Sequence, residues 1–174
     1  MDDKLQDIER QLDGKRNFEA PPLHLWHPPL SGDIDIRIDA EGNWYHDGDP
    51  ITRQSIVNLF SRILRREDDG HYYLVTPGEK WRIQVELHPL IVVDVDQQGE
   101  GKASVLTLTL NNGSTVEVGP EHPLTTEASR QGVAVVALAN GLSALFSRPC
   151  WYRLVGLLGD ELVVQSHGQR YPLG

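Results

Sequence analysis

The sequence predicts an α+β protein of two related units that arose by internal duplication, each a mainly antiparallel sheet with one helix. Three observations carry this expectation. Ile34, Ile36 and Ile38 alternate with Asp33, Asp35, Arg37 and Asp39, the period-two pattern of a half-buried strand. Ile56, Leu59, Phe60, Ile63 and Leu64 recur at helical spacing, a broad apolar face for packing on a sheet. The tetrapeptide Leu59-Phe60-Ser61-Arg62 returns as Leu145-Phe146-Ser147-Arg148. Each copy is expected near a helix end and ahead of an aromatic strand, Tyr72 to Val75 in one case and Trp151 to Val155 in the other.

The elements follow in order. Leu5, Ile8 and Leu12 predict a short N-terminal helix. From Asn17 to Pro29 the prolines at 21, 22, 28 and 29 force extended or turning backbone, and Leu23, Leu25 and Trp26 strap this arm to the core. After the isoleucine strand, Glu41-Gly42-Asn43 turns the chain into Trp44-Tyr45-His46, completing a hairpin. Thr52 is the expected N-cap of the helix that follows, Arg62, Arg65 and Arg66 fall in its last turns, and Asp68-Asp69-Gly70 ends it. Strands are expected at His71 to Val75, Trp81 to Leu87 and Ile91 to Val95. The glycine-bearing polar stretch Gln97 to Lys102 reads as the boundary between units, giving an N-terminal helix and arm at 1–30, a first unit at 31–96 and a second at 97–174. Beyond it, Val105 to Leu110 alternates and Asn111-Asn112-Gly113 turns into Thr115 to Val118. Pro120 to Gly132 reads as a polar loop and Val133 to Leu138 as a buried strand. A short helix from Asn140 through Ser147 and closing strands at Trp151 to Leu157, Leu162 to Gln165 and Arg170 to Leu173 complete the expectation.

Composition narrows the partners. With 174 residues, 39% of them hydrophobic, the chain buries enough surface to fold without a disulfide or metal. Its net charge of -9 repels phosphate backbones, and the densest basic spot, Arg62, Arg65 and Arg66, runs straight into Glu67, Asp68 and Asp69, so no nucleic acid is expected. The longest apolar run, Val133 to Ala139, is far short of a bilayer span of about 20 residues, so no membrane partner is expected. The acidic start Met1-Asp2-Asp3-Lys4 lacks the pattern of a signal peptide, and Cys150 is the single cysteine. A cytoplasmic protein is the expectation; its oligomeric state is left open.

Catalytic signals are sparse. The seven histidines are scattered apart from His24 and His27, which lie in the proline arm, and Cys150 has no second thiolate for a zinc site, so neither metal nor cofactor is expected. Asp94 and Asp96 share a strand face, yet such acids also terminate ordinary strands. No nucleophile elbow or phosphate loop occurs. What remains is a binding surface: Trp44, His46, Asp47 and Arg53 around the hairpin end and helix start, with Thr76, Glu79, Lys80 and Arg82 at the next strand junction. Lys80 and Arg82, at i and i+2, make a usable pair for an anionic group, and Trp44 is suited to a planar base. The same residues also read as a solvated loop around a structural tryptophan.

One resemblance extends this. Ile38-Asp39, Gly42, Trp44, His46-Asp47-Gly48, Pro50-Ile51, Arg53, Leu59-Phe60-Ser61, Asp69-Gly70, Tyr73-Leu74, Thr76-Pro77, Glu79-Lys80, Ile83 and Val85-Glu86 are similar to family 1285 of bacterial domains of unknown function. Gly141-Leu142, Ala144-Leu145, Arg148, Tyr152, Leu154-Val155, Ser166, Gly168 and Leu173-Gly174 extend the likeness to the end of the chain. The resemblance implies two similarly folded units, the second like a pleckstrin-homology barrel, with a nucleotide-type ligand held between them for signalling rather than catalysis. It adds Glu86, Arg148 and Tyr152 to the site. Two departures stand out: Leu87 replaces an acidic or amide residue, and Ala137-Leu138-Ala139 lacks an arginine that the resemblance puts ahead of the second helix. The expected function is therefore non-catalytic binding of a small anionic ligand, with Lys80, Arg82 and Arg148 neutralising charge and Trp44 or Tyr152 packing on a ring. Two alternatives stand beside it: an interaction adaptor using the proline arm and sheet edges, and a metal-dependent hydrolase using Asp94, Asp96 or the histidines.

Overall fold

The computed structural model describes residues 5, 6, 8, 10 and 21–174. Leu5, Gln6, Ile8 and Arg10 are helical, with Leu5 and Ile8 buried, as the spacing predicts; Leu12 and residues 17–20 lie outside the described residues. In the arm, Leu23 is fully buried, but Leu25 is 68% exposed and does not strap anything down. The backbone carbonyls of Leu23 and Trp26 each accept a hydrogen bond from Arg65 Nη1 at 2.9 Å.

The chain divides into two units: residues 1–39 with 43–86, and residues 40–42 with 87–174. The first contains β1 (Gly32–Ile38), β2 (Trp44–His46), β3 (Asp49–Pro50), α1 (Gln54–Arg62), β4 (Leu64–Arg66), β5 (Tyr72–Val75) and β6 (Lys80–Val85). Its six strands lie in the order β3-β2-β1-β6-β5-β4, all antiparallel except the central pair β1 and β6. Ile34, Ile36 and Ile38 face the core, as alternation requires, together with Trp44, Phe60, Ile63, Leu64 and Leu74.

The second unit contains β7 (Leu90–Gln98), β8 (Val105–Leu110), β9 (Thr115–Glu117), β10 (Leu124–Glu127), β11 (Val133–Ala137), β12 (Ser143–Phe146), α2 (Arg148–Leu158), β13 (Val163–Ser166) and β14 (Gln169–Pro172). Its large sheet runs β10-β11-β12-β7-β8-β9, again with one central parallel pair, β7 and β12. Strand for strand this is the order of the first unit: two three-stranded meanders joined through their first and last strands. The architecture is a duplicated α+β one; the β13–β14 hairpin has no counterpart among the described strands of the first unit, and the helix stands at a different place in the order. It lies between the third and fourth strands in one unit and after the sixth in the other.

Several local expectations are corrected. The N-cap of α1 is Arg53, not Thr52, and its side chain makes no capping bond. The helix ends at Arg62, so Arg65 and Arg66 lie on β4, and Asp68-Asp69-Gly70 turns β4 into β5. Gln97 to Lys102 does not separate the units: Gln97 and Gln98 end β7, the rest of the segment leads on to β8, and the division falls at Leu87. Part of the polar loop after Pro120 pairs as β10. Ser143 to Phe146 is a strand where a helix is expected, and Trp151 to Leu157 is helix where a strand is expected. Ser147 explains the second reversal. Its side chain accepts from the Cys150 N–H at 3.3 Å, and Pro149 opens the helix at a position where it costs no hydrogen bond. The recurring tetrapeptide therefore lies at a helix end in one unit and across a strand–helix junction in the other.

Candidate functional site

Most of the expected site residues in the first unit are engaged in holding it together. Trp44 is 2% exposed and packs against Phe60 with ring centroids 6.3 Å apart, so it offers no face to a ligand. Buried Thr76 closes the β5–β6 turn, its Oγ1 accepting from the Glu79 N–H at 3.0 Å, while the Glu79 carboxylate accepts from Trp81 Nε1 at 3.3 Å. Glu86 pairs with Arg37.

Lys80 and Arg82 do share a face of β6, but each is neutralised there. Lys80 Nζ donates to Glu67 Oε1 at 2.8 Å and stands 4.7 Å from the centre of the Tyr73 ring. Arg65 takes the other Glu67 oxygen at 2.6 Å. Burial pushes Glu67 up, but the bonds from Lys80 and Arg65 outweigh it and hold the carboxyl below its ordinary range. Arg82 Nε donates to Asp33 Oδ1 at 2.7 Å, and that bond lowers Asp33 in the same way.

His46, Asp47 and Arg53 do come together. They line a cavity of about 380 Å³ in the first unit with Leu5, Asp49, Pro50, Ile51, Thr52 and Ile56. The tight turn between β2 and β3 builds it, with Asp47 and Gly48 both at positive φ, 49° and 85°. Its charges, Asp47 and Asp49 against Arg53, leave it negative and poorly suited to an anion.

The second unit holds a cavity of opposite sign, about 280 Å³, lined by Ile91, Val133, Leu145, Phe146 and Ser147 with Ala40, Glu41, Arg130 and Arg148. The floor is the β7–β12–β11 sheet, whose Ile91, Leu145 and Val133 are all less than a tenth exposed. Arg148 is the first residue of α2, and its side chain donates to the Tyr152 hydroxyl at 3.4 Å. Arg130 ends a short 3-10 turn after β10. Neither guanidinium has a carboxylate partner among the described residues, and Glu41 is the only acid on the lining. Arg148 was legible in the sequence; Arg130 was not, because only strand pairing brings it beside residue 148. It provides a cation in the unit where Ala137-Leu138-Ala139 lacks the expected one. Tyr152 is 60% exposed on the same helix.

A second cluster in this unit escaped the sequence altogether. His88, just before β7, bonds Ser143 Oγ through Nδ1 at 2.6 Å and Glu127 Oε1 through Nε2 at 2.8 Å. Ser129 donates to the other Glu127 oxygen, from its hydroxyl at 2.9 Å and its N–H at 3.2 Å. These bonds, led by that of His88, hold Glu127 below the usual carboxylate range. By contrast, the Cys150 thiol is buried and pushed up to about 11 by that burial, which leaves it inert as a nucleophile. Among the described residues no three His, Cys, Asp or Glu side chains gather as a metal-binding group, and no helix is long and apolar enough to cross a membrane.

Comparison with known proteins places the chain as a whole. Residues 21–87 match the N-terminal domain of DUF1285, a domain of unknown function, and residues 89–173 match its C-terminal domain. The crystal structure of a DUF1285 family protein from Silicibacter pomeroyi DSS-3 is similar with a TM-score of 0.80 and 38% identity, over 94% of this chain and 93% of that one. A DUF1285 family protein from Shewanella baltica OS155 has a TM-score of 0.56 and 30% identity, over 70% of this chain and 90% of that one. No curated protein matches the chain.

Proposed function

The chain belongs to the DUF1285 family, whose domains are described as of unknown function, and we propose that it binds a small amphipathic anion in the cavity of its second unit. The observation that carries this reading is the pair Arg130 and Arg148, on the lining of one apolar-floored cavity and without carboxylate partners among the described residues. A carboxylate or phosphate set between them receives charge-assisted hydrogen bonds, roughly twice as strong as neutral ones. The rest of the ligand covers Ile91, Val133, Leu145 and Phe146. At about 280 Å³ the space lies just below the usual range of ligand pockets, so the apolar part is compact: a short chain or a single planar ring. A nucleotide-type ligand fits this chemistry with its phosphate at the guanidiniums and its base on the floor. Lys80 and Arg82 stay outside this reading, since their charge is already spent on Glu67 and Asp33.

A thermal-shift screen of carboxylates, nucleotides and simple phosphates tests it. A ligand at 100 times its Kd stabilises the native state by about 2.7 kcal/mol. The expected result is a shift from one compound class that Arg130→Ala and Arg148→Ala each remove and Lys80→Ala leaves in place. A flat screen at millimolar concentration, or a shift that survives both arginine variants, refutes the cavity as the site.

A further inference from the structure

We propose that Ser143 is a nucleophile, with His88 as its general base and Glu127 as the residue that orients the base. The three lie 55 and 39 positions apart in sequence, and the sheet of the second unit assembles them. Ser143 is the first residue of β12 and Glu127 the last of β10, and the imidazole of His88 spans the interval between them.

The polarity of the chain of bonds is the one that a nucleophile needs. An ionised carboxylate only accepts hydrogen bonds, so Glu127 places the proton of a neutral imidazole on Nε2. Nδ1 then carries a lone pair, 2.6 Å from the serine oxygen, and the serine O–H must donate to it. Glu127 is itself fixed from its far side by Ser129, so the imidazole has a settled tautomer and a settled orientation. Nucleophile to base to orienting carboxylate, each within hydrogen-bond reach, is the recurring arrangement of covalent catalysis. A partner-bound serine with a merely structural task would do as well with a backbone carbonyl; this one is bonded to an imidazole, which can take its proton.

Access and a binding surface lie nearby. Ser143 is half-buried, while the imidazole and carboxylate side chains keep 15% and 21% exposure. Residues two apart on a strand, and residues paired across strands, share a face. Ser143 is two before Leu145, and Glu127 is paired with Val133, so nucleophile and orienting group share the sheet face that floors the arginine cavity.

In the proposed step, Ser143 Oγ attacks the carbonyl carbon of an activated ester and its proton passes to His88 Nδ1. The C–O bond to the leaving group breaks, and the leaving alcohol departs with its electron pair and that proton. Water, activated by the same imidazole, then cleaves the acyl-serine, releasing the acid and restoring the serine.

The test uses the whole chain with p-nitrophenyl acetate and with a fluorophosphonate, which phosphonylates the serine and releases fluoride. The expected result is one phosphonyl adduct per chain, mapped to the peptide holding Ser143. Ser143→Ala abolishes it, and His88→Gln slows it by about 10²-fold. The role of Glu127 is read from the 15N-NMR spectrum of the imidazole above neutral pH: protonated at Nε2 in the parent chain, and losing that single tautomer in Glu127→Gln. Should a variant fail to fold, the parent spectrum still decides, because an Nδ1–H tautomer turns the proton toward the serine and overturns the proposal. An adduct that persists in Ser143→Ala, or no adduct in the parent chain, overturns it too. Ligand stabilisation through Arg130 and Arg148 is a separate readout and stands or falls on its own.

Discussion

Glu67 shows how a charged residue in the first unit is committed to structure rather than to a ligand. Its two oxygens are shared between Lys80 and Arg65, and Arg65 in turn holds the backbone carbonyls of Leu23 and Trp26, so the carboxylate links β4, β6 and the proline arm. Its carboxyl is three-quarters covered, and hydrogen bonds to charged groups are worth about 1.5–3 kcal/mol each, net of the water bonds they replace. Glu67→Gln should therefore cost about 1–3 kcal/mol at pH 7. The sign with pH is set by the lowered carboxyl: its contribution is complete above the unfolded carboxylate range and fades as pH falls through the folded value. Urea unfolding of the parent and the variant should thus converge in acid. A gap of the same size at pH 7 and in strong acid would show that Glu67 acts through packing and not through charge. The same reasoning explains why Lys80 and Arg82 read as an anion site in the sequence. Their spacing on one strand face is visible there, but the partners that cancel them, Glu67 just past β4 and Asp33 on β1, lie far from them in the chain.

At the scale of elements, what was legible followed periodicity and what was not followed caps and turns. The alternating isoleucines of β1, the Asn111-Asn112-Gly113 hairpin and the apolar run of β11 stand where their patterns place them. Trp151 and Tyr152 favour strands by residue type, yet the Ser147 cap and Pro149 override that preference and make α2. Gln97 to Lys102 misled in a different way, because its glycines answer a steric demand and do not mark a linker. Gly99 has φ of +76°, and a side chain there would meet the Ala103 carbonyl oxygen at 2.4 Å, a backbone atom that cannot step aside. Gly99→Ala should cost at least about 1–2 kcal/mol from the left-handed conformation alone, with the clash added to it. Gly101→Ala, with φ of +56° and open space, pays only the first part. Thermal unfolding that ranks the two equally would remove the close approach as the reason for Gly99. The candidate sites obey the same division: Arg148 is found from the sequence, whereas Arg130, His88, Ser143 and Glu127 become neighbours only through the pairing of β10, β11, β12 and β7.

On the scale of the molecule, duplication is written in strand order and not in the recurring tetrapeptide. β1 to β6 and β7 to β12 form the same pair of meanders with the same central parallel pair, while Leu59-Phe60-Ser61-Arg62 and Leu145-Phe146-Ser147-Arg148 fall in elements that do not correspond. Each sheet has its own buried centre, around Ile36, Ile38, Phe60 and Leu74 in one and Leu106, Leu108, Phe146 and Leu154 in the other. Two cores predict two levels of local stability. Leu108→Ala removes a fully buried side chain from the second and should cost it about 2–5 kcal/mol. Hydrogen exchange should then show faster exchange in β8, β12 and α2 with β1, β5 and β6 still protected. β7 is the informative strand, because a division at Leu87 assigns it to the second unit and a boundary at Gln97 would assign it to the first. Its residues pair with β8 through Val92, Val95 and Gln98 and with β12 through Leu90 and Ile91, so its amides should lose protection together with those of β8 and β12. Protection of β7 that tracks β1 and β6 instead would put the boundary back at the glycine segment, and uniform loss across both sheets would make the chain one cooperative unit.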